Sequence, residues 1–397
     1  MIDLQVIFTY NKENSKRQIK QVGKQLMKIK ENENYLTKNL LTYLGNKRKL
    51  LPEIAQEVEY VQAELKQVQT INVDLFSGSG SVSRMLKQYS SILYANDFEH
   101  YAQIVNQGFL FNQNELDLKQ VEQERLRINQ KLDQHQYHSG IITANYAPKN
   151  DQHIQKGERC FYSHDNALRI DTIRYEIDQL NDRDIKTLFL ANLLVQASIH
   201  VNTSGVFKGF YKDKKTGLGK FGGTNGNALT RILGKIELPP ICLSNFNCQV
   251  HATRCDANTF FQENCIKADI TYLDPPYNEH PYGSNYFMLN IIADNQLPAK
   301  LSKVSGIPSN WQHSNYNKAK AIKQTMSDLL HHINSKYIIL SYNNEGLLKK
   351  SDLIALLNEV GTIKHEQEIK YNTFRGSRNL TQRNLHTQEY LFTVKMN

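Results

Sequence analysis

The sequence predicts an α/β chain built on a doubly wound, Rossmann-like sheet, and three observations carry that expectation. Ile71-Asn72-Val73-Asp74-Leu75-Phe76 reads as a buried strand that runs into Ser77-Gly78-Ser79-Gly80-Ser81, a tight loop opening a helix. Ser91 to Asp97 reads as a second strand ending on an acid. Asp269 to Asp274 reads as a third, followed by Asp274-Pro275-Pro276-Tyr277 at the carboxyl end, where open α/β sheets bind ligands.

The elements follow in order. Met1 to Phe8 is a short strand-like run ahead of a Lys-rich stretch, the reverse of a secretory leader, so a bacterial cytoplasmic location is expected. Residues 11–34 are rich in Lys, Gln and Asn with little apolar periodicity, and a solvated or partly ordered basic arm over 1–38 is expected. An apolar start from Leu40, broken by Gly45, leads into a helical pattern from Lys49 to about Leu65. After Asp97 the alternation stops: Asn112 to Gln134 reads as a charged helix and Thr172 to His200 as another, with an apolar second half. Between Gly205 and Gly226, Lys208, Lys212, Lys214, Lys215 and Lys220 interleave with Phe207, Phe210, Tyr211 and Phe221. Strand patterns return at Gln249 to Ala252, at Lys336 to Tyr342, and in Thr362 to Tyr371 with Glu389 to Val394. The last pair is expected as an antiparallel hairpin at the sheet edge.

Composition narrows the class. The chain has 397 residues, 40% apolar and 22% charged, as an ordinary globular protein does, and no apolar run is long enough to cross a bilayer. Its formal charge of +9 favours a polyanionic partner through counterion release, with solubility as the plainer account. Five cysteines without a C-x-x-C pair point to buried thiols and to no metal site.

Asp274-Pro275-Pro276-Tyr277 bears chemistry if it is more than a capped turn. Two prolines remove two backbone donors and fix the chain, leaving carbonyls that can accept from an exocyclic amine together with Asp274. Tyr277 would stack on a base lifted from its helix, worth about 1–3 kcal/mol. The loop holding Gly78 and Gly80 lets a ligand approach the backbone. It lacks the Lys-Ser/Thr pair of a P-loop and the third glycine of a dinucleotide fingerprint. Asp97 suits ribose hydroxyls, or an ordinary helix cap.

Together, Tyr43-Leu44-Gly45-Asn46-Lys47, Asp74-x-Phe76-x-Gly78-x-Gly80, Asp97 and Asp274-Pro275-Pro276-Tyr277 resemble the Dam-like, alpha-group adenine-N6 DNA methyltransferases, motif by motif and in the same order, over residues 39 to 395. The resemblance implies a methyltransferase sheet with S-adenosylmethionine as methyl donor, from residues 39–110 and 248–397, around an inserted, mainly helical target-recognition region, 111–247. It places Tyr43, where relatives often have Trp, and Lys47 on the donor, Lys47 at its carboxylate. Asp74, Phe76, Gly78 and Gly80 fall beside the donor, Asp97 on the ribose, Asp256 near the adenine, and Asp274 between donor and amine.

Asn202-Thr203-Ser204-Gly205-Val206-Phe207 resembles the family's entry to its DNA-contacting loop. Lys208, Tyr211, Lys212, Lys214, Lys215 and Lys220 would then touch DNA, the other reading being a solvated turn. The tail from Tyr371 to Asn379, with Arg375 and Arg378 as further DNA contacts, looks like that of methylases paired with type IIS restriction enzymes, as does the loop Asn278 to Tyr286. The resemblance therefore implies duplex DNA as partner, a monomer away from membranes, and a separately acting restriction endonuclease. An RNA adenine methyltransferase is an alternative. A cytosine-N4 enzyme would usually carry Ser at position 274, and a non-enzymatic DNA-binding relative would have lost Asp274, Lys47 or a loop glycine.

Overall fold

The strand Ser335–Asn343 shows how the sheet is buried: Tyr337 and Ile339 join the apolar layer under one face, while Ile338, Leu340 and Tyr342 join the layer on the other. The computed structural model describes residues 29–38, 40–223, 226–372 and 386–397. Among them seven strands form one sheet: β1 Thr70–Asp74, β2 Ser90–Asp97, β3 Gln249–Arg254, β4 Ala268–Leu273, β5 Ser335–Asn343, β6 Gly361–Asn372 and β7 His386–Met396. Their spatial order is β3-β2-β1-β4-β5-β7-β6. Neighbours from β3 to β5 are parallel, and β7 runs antiparallel to both β5 and β6. The expected hairpin at the edge is therefore present. The order reverses between β1 and β4, which opens a crevice at the carboxyl ends of those two strands.

Helices cover both faces. On one, Leu51–Leu65 (α1) and Ser81–Leu86 (α2) pack Ile54, Val58, Val61 and Met85 against Leu93, Ile270 and Ile339. On the other, Ile322–His332 and Lys350–Val360 pack Met326, Leu329, Leu353 and Leu357 against Val73, Ile338 and Phe392. A third apolar cluster belongs to the segment between β2 and β3. There His100–Leu110 (α3), Leu118–Asp133 (α4), His164–Gln179 (α5) and Arg183–Ile199 (α6) pack with one another and with the later helix Phe287–Asp294 (α7).

One expectation needs correction. The single helical stretch from Thr172 to His200 is two helices, because α5 ends at an extended Leu180 and Asp182 restarts the chain, its carboxylate accepting from the N–H groups of Asp184 and Ile185. The segment expected as a solvated or partly ordered arm closes on a packed helix, Glu33–Thr37, whose Tyr35 is wholly buried and donates its hydroxyl to the carbonyl of Phe109. A buried guanidinium docks it: Arg84 lies over the rings of Tyr35 and Phe109 and donates to the carbonyls of Tyr35 and Lys38. Residues 1–28, with the strand-like run at the start, lie outside the described residues.

Candidate functional site

The loop after β1 is held by the strands on both sides of it. Leu75 N–H donates to Tyr272 of β4, Ser77 N–H to Asn96 of β2, and Gly78 N–H to Oδ2 of Asp97 at 2.8 Å. Gly78 and Gly80 both have positive φ, 48° and 75°, a region that costs other residues about 1–2 kcal/mol. A Cβ on Gly80 would meet the Asn106 side chain at 2.8 Å. The glycines are thus required by the turn and by what presses on it.

The segment that enters ahead of α1 completes the wall. Tyr43 stacks on Tyr282 and Tyr286, with ring centroids 4.9 and 4.6 Å apart, and its hydroxyl lies 3.1 Å from that of Tyr101. Leu44 is pinned from both sides, its N–H donating to the Tyr286 hydroxyl and its carbonyl accepting from Tyr282. Lys47 is buried, and its ammonium lies 2.8 Å from Asp274 and 3.0 Å from Glu389 of β7. Burial opposes that charge, but the two carboxylates outweigh it and hold the ammonium well above the ordinary lysine range.

Between these walls lies a cleft of about 920 Å³, partly open to solvent. Of the residues expected at the cofactor, Tyr43, Lys47, Asp74, Phe76, Gly78, Asp97, Asp256 and Asp274 line it, and so does Pro276. Gly80, Pro275 and Tyr277 do not line the cleft. Gly80 turns the loop from behind and Pro275 is buried, and Tyr277 packs edge-on against Tyr342 with its carbonyl accepting from Leu347.

The cleft has a pronounced charge asymmetry: among the described residues Asp74, Asp97, Glu99, Asp256 and Asp274 line it against one cation, Lys47. Burial pushes Asp74 and Glu99 up to about 7 and Asp274 up to about 6, and raises Asp97 as well. Asp74 accepts from the Ser83 hydroxyl with Oδ2, while its buried Oδ1 has no hydrogen-bond partner among the described residues. An unpaired acceptor in a cleft of raised carboxylates calls for a cationic ligand. S-Adenosylmethionine, with its sulfonium and ammonium, fits that demand.

The residues expected at DNA form a separate, exposed feature. Lys208, Lys212, Lys214 and Lys215 are exposed and Tyr211 and Lys220 half-buried, on a loop closed by a bridge between Lys212 and Gly219. Its base is firm. Buried Asn202 donates to the carbonyls of Cys160 and Lys220 and accepts from Gly222, and Phe207 N–H donates to the carbonyl of Asn285, eight residues after Tyr277. Arg375 and Arg378 lie outside the described residues.

Sequence reasoning misses several residues in and behind the cleft. Tyr316 meets Phe76 edge-on at 5.2 Å, and Glu99 is aligned by Asn290. Glu389 reads in the sequence only as part of a strand. Acids and aromatics on strands and irregular loops carry no local spacing signal. Position near the start of an antiparallel strand, beside the carboxyl ends of the parallel ones, is the cue that marks Glu389.

Among the described residues no helix is long and apolar enough to cross a membrane. A family model described as D12 class N6 adenine-specific DNA methyltransferase matches residues 43–353. The chain is 30% identical over 373 residues to "Modification methylase StsI" of Streptococcus sanguinis, covering 89% of this chain and 52% of that protein. It is 30% identical over 368 residues to "Type II methyltransferase M.CviAII" of Paramecium bursaria Chlorella virus 1, covering 90% of this chain and 98% of that protein. Against "Type II methyltransferase M.NlaIII" of Neisseria lactamica it is 28% identical over 364 residues, covering 89% and 99%. It thus spans about half the length of the first relative and nearly all of the other two.

Proposed function

The chain belongs to the D12 class of N6 adenine-specific DNA methyltransferases, and from that premise we propose that it methylates N6 of an adenine turned out of duplex DNA, at a specific site, as the protective methylase of a restriction-modification system in the cytoplasm. The observation that carries this reading is the placement of Asp274: its carboxylate closes β4 at the reversal of strand order, on the rim of the acid-lined cleft and in contact with Lys47.

S-Adenosylmethionine supplies an electrophilic methyl group on a sulfonium. Asp74, Asp97, Glu99 and Asp274 provide the negative field that holds a cation, and the Gly78 turn lets it approach the backbone. Asp274 accepts an amine hydrogen from the target base and stabilises the positive charge that grows on nitrogen during transfer. The carbonyl of Pro275 takes the second amine hydrogen. Among the described residues no backbone N–H is bonded to the carbonyls of Pro275 or Pro276. Tyr277 offers a face to the base, and the lysines from Lys208 to Lys220 meet phosphate.

The test is product analysis. Purified protein, labelled S-adenosylmethionine and duplex DNA of mixed sequence are incubated, and the digested nucleosides are separated by mass spectrometry. Labelled N6-methyladenine from DNA is expected. N4-methylcytosine, or label that enters RNA and not DNA, would overturn the substrate assignment.

A further inference from the structure

Behind the rim of the cleft, Lys47, Asp274 and Glu389 form one buried ionic group whose members come from the entering loop, β4 and β7. Lys47 and Glu389 side chains are 1% exposed and that of Asp274 is 18%, so the pair lies behind the carboxylate that faces the cleft. Glu389 Oε1 takes the ammonium at 3.0 Å and the Ser341 hydroxyl at 2.7 Å. It is paired in register with Asn343 of β5 and Ile369 of β6, so strands on both sides fix its position. Two carboxylates sharing one ammonium divide its attraction, and a buried acid is costly to keep unless it does something there.

We propose that Glu389 is a positioning residue for methyl transfer: it shares the Lys47 ammonium with Asp274, so that Asp274 stays a strong acceptor for the amine of the target base. The inference rests on the reading of Asp274 given above. With Glu389 absent, the whole ammonium falls to Asp274, whose carboxylate then turns its charge toward lysine and away from nitrogen. The reacting amine loses stabilisation in the transition state, while the ground-state fit of cofactor and DNA is untouched. The titratable groups acting on Asp274 are Lys47, Glu389, Asp74 of β1, Tyr272 and Tyr282. Of these, Lys47 and Glu389 act on it from one side with opposite sign.

Glu389→Gln keeps the shape and removes the charge. In single-turnover methylation of duplex DNA its rate should fall tenfold or more, with dissociation constants for S-adenosylmethionine and DNA within threefold of wild type. The acid limb of the pH–rate profile should move to lower pH by about half a unit, since Asp274 loses a negative neighbour and keeps a positive one. A residue that only supports the fold would lower the melting temperature and leave that limb in place. An unmoved limb, or a wild-type rate, overturns the proposal. Should the glutamine variant fail to fold, Glu389→Asp keeps the charge but withdraws it by one carbon. A severalfold lower rate with unchanged cofactor affinity is then expected, and a wild-type rate overturns the proposal. Failure of the wild-type chain to methylate DNA would instead refute the underlying function, so the two failures are distinct.

Discussion

A Cβ built on Gly78 would stand 2.9 Å from Cε1 of Tyr43, which puts the glycine loop and the entering loop in contact with nothing but a backbone between them. The approach is a consequence of packing: Tyr43 is held by Tyr282, Tyr286 and Tyr101 and has no room to retreat. Gly78→Ala should therefore weaken S-adenosylmethionine binding at least tenfold, through the positive φ and the displaced ring together. Isothermal titration calorimetry reads this directly, and an unchanged dissociation constant would show that the cleft does not need the close approach.

Asp274→Ala should lower the single-turnover rate by roughly 10²–10³, the usual cost of removing one preorganised transition-state partner, with DNA affinity retained. It should also leave Lys47 on Glu389 alone, so a modest loss of melting temperature is expected. Residual activity within tenfold of wild type would remove Asp274 from the chemistry.

Cofactor binding should release protons. Asp74 and Glu99 sit at about 7 and Asp274 at about 6 because burial disfavours their ionised forms. A cationic ligand favours ionisation, so S-adenosylmethionine should bind more tightly as pH rises from 5.5 to 7.5, and calorimetric heats at pH 6.5 should differ between buffers of unlike ionisation enthalpy. For the ligand-free fold the sign is opposite. Between the ordinary carboxylate range and about 7 the folded state holds protons that the unfolded chain has lost, so these groups cost stability progressively as pH climbs through that window and no further above it. Heats independent of buffer would contradict the assignment.

Replacing Lys212, Lys214 and Lys215 together with Gln should weaken DNA binding and reduce the slope of log affinity against log salt by up to about three, one for each phosphate left without its lysine. Fluorescence anisotropy across a salt series measures it. The fold should be unaffected, because these side chains are exposed while Asn202 and Phe207 hold the loop from below. An unchanged slope would make this loop a solvated turn.

The parts of the site that are legible in the sequence are those whose chemistry is local. Gly78 and Gly80 announce a backbone turn, Asp97 the end of a strand, and Asp274-Pro275-Pro276-Tyr277 a stiff acceptor-rich exit from one, and the strand pattern locates all seven strands described in the sheet. What the sequence withholds depends on tertiary pairing. The pairing of the Lys47 ammonium with Asp274 and Glu389 is such a case, because no spacing rule connects residues beside β4 and on β7 to a loop ahead of α1. The break at Leu180 carries no Pro or Gly, and its signal in the sequence is the Asp182 cap.

The insertion of β7 between β5 and β6 also fixes an order of events during synthesis. β6 is made first yet, among the described residues, pairs only with β7, so it has no place in the sheet until the later strand leaves the ribosome. Meanwhile the far edge of β5 stands open, and Lys47 faces one carboxylate where the finished site has two. Stepwise-arrested nascent chains should gain protease protection of β5 only once residue 396 has cleared the exit tunnel; earlier protection would mean another partner covers that edge. A chain cut short before His386 would thus forfeit two strands and the second anchor of its lysine at once, so catalytic competence comes last and a half-made enzyme has little means of marking DNA.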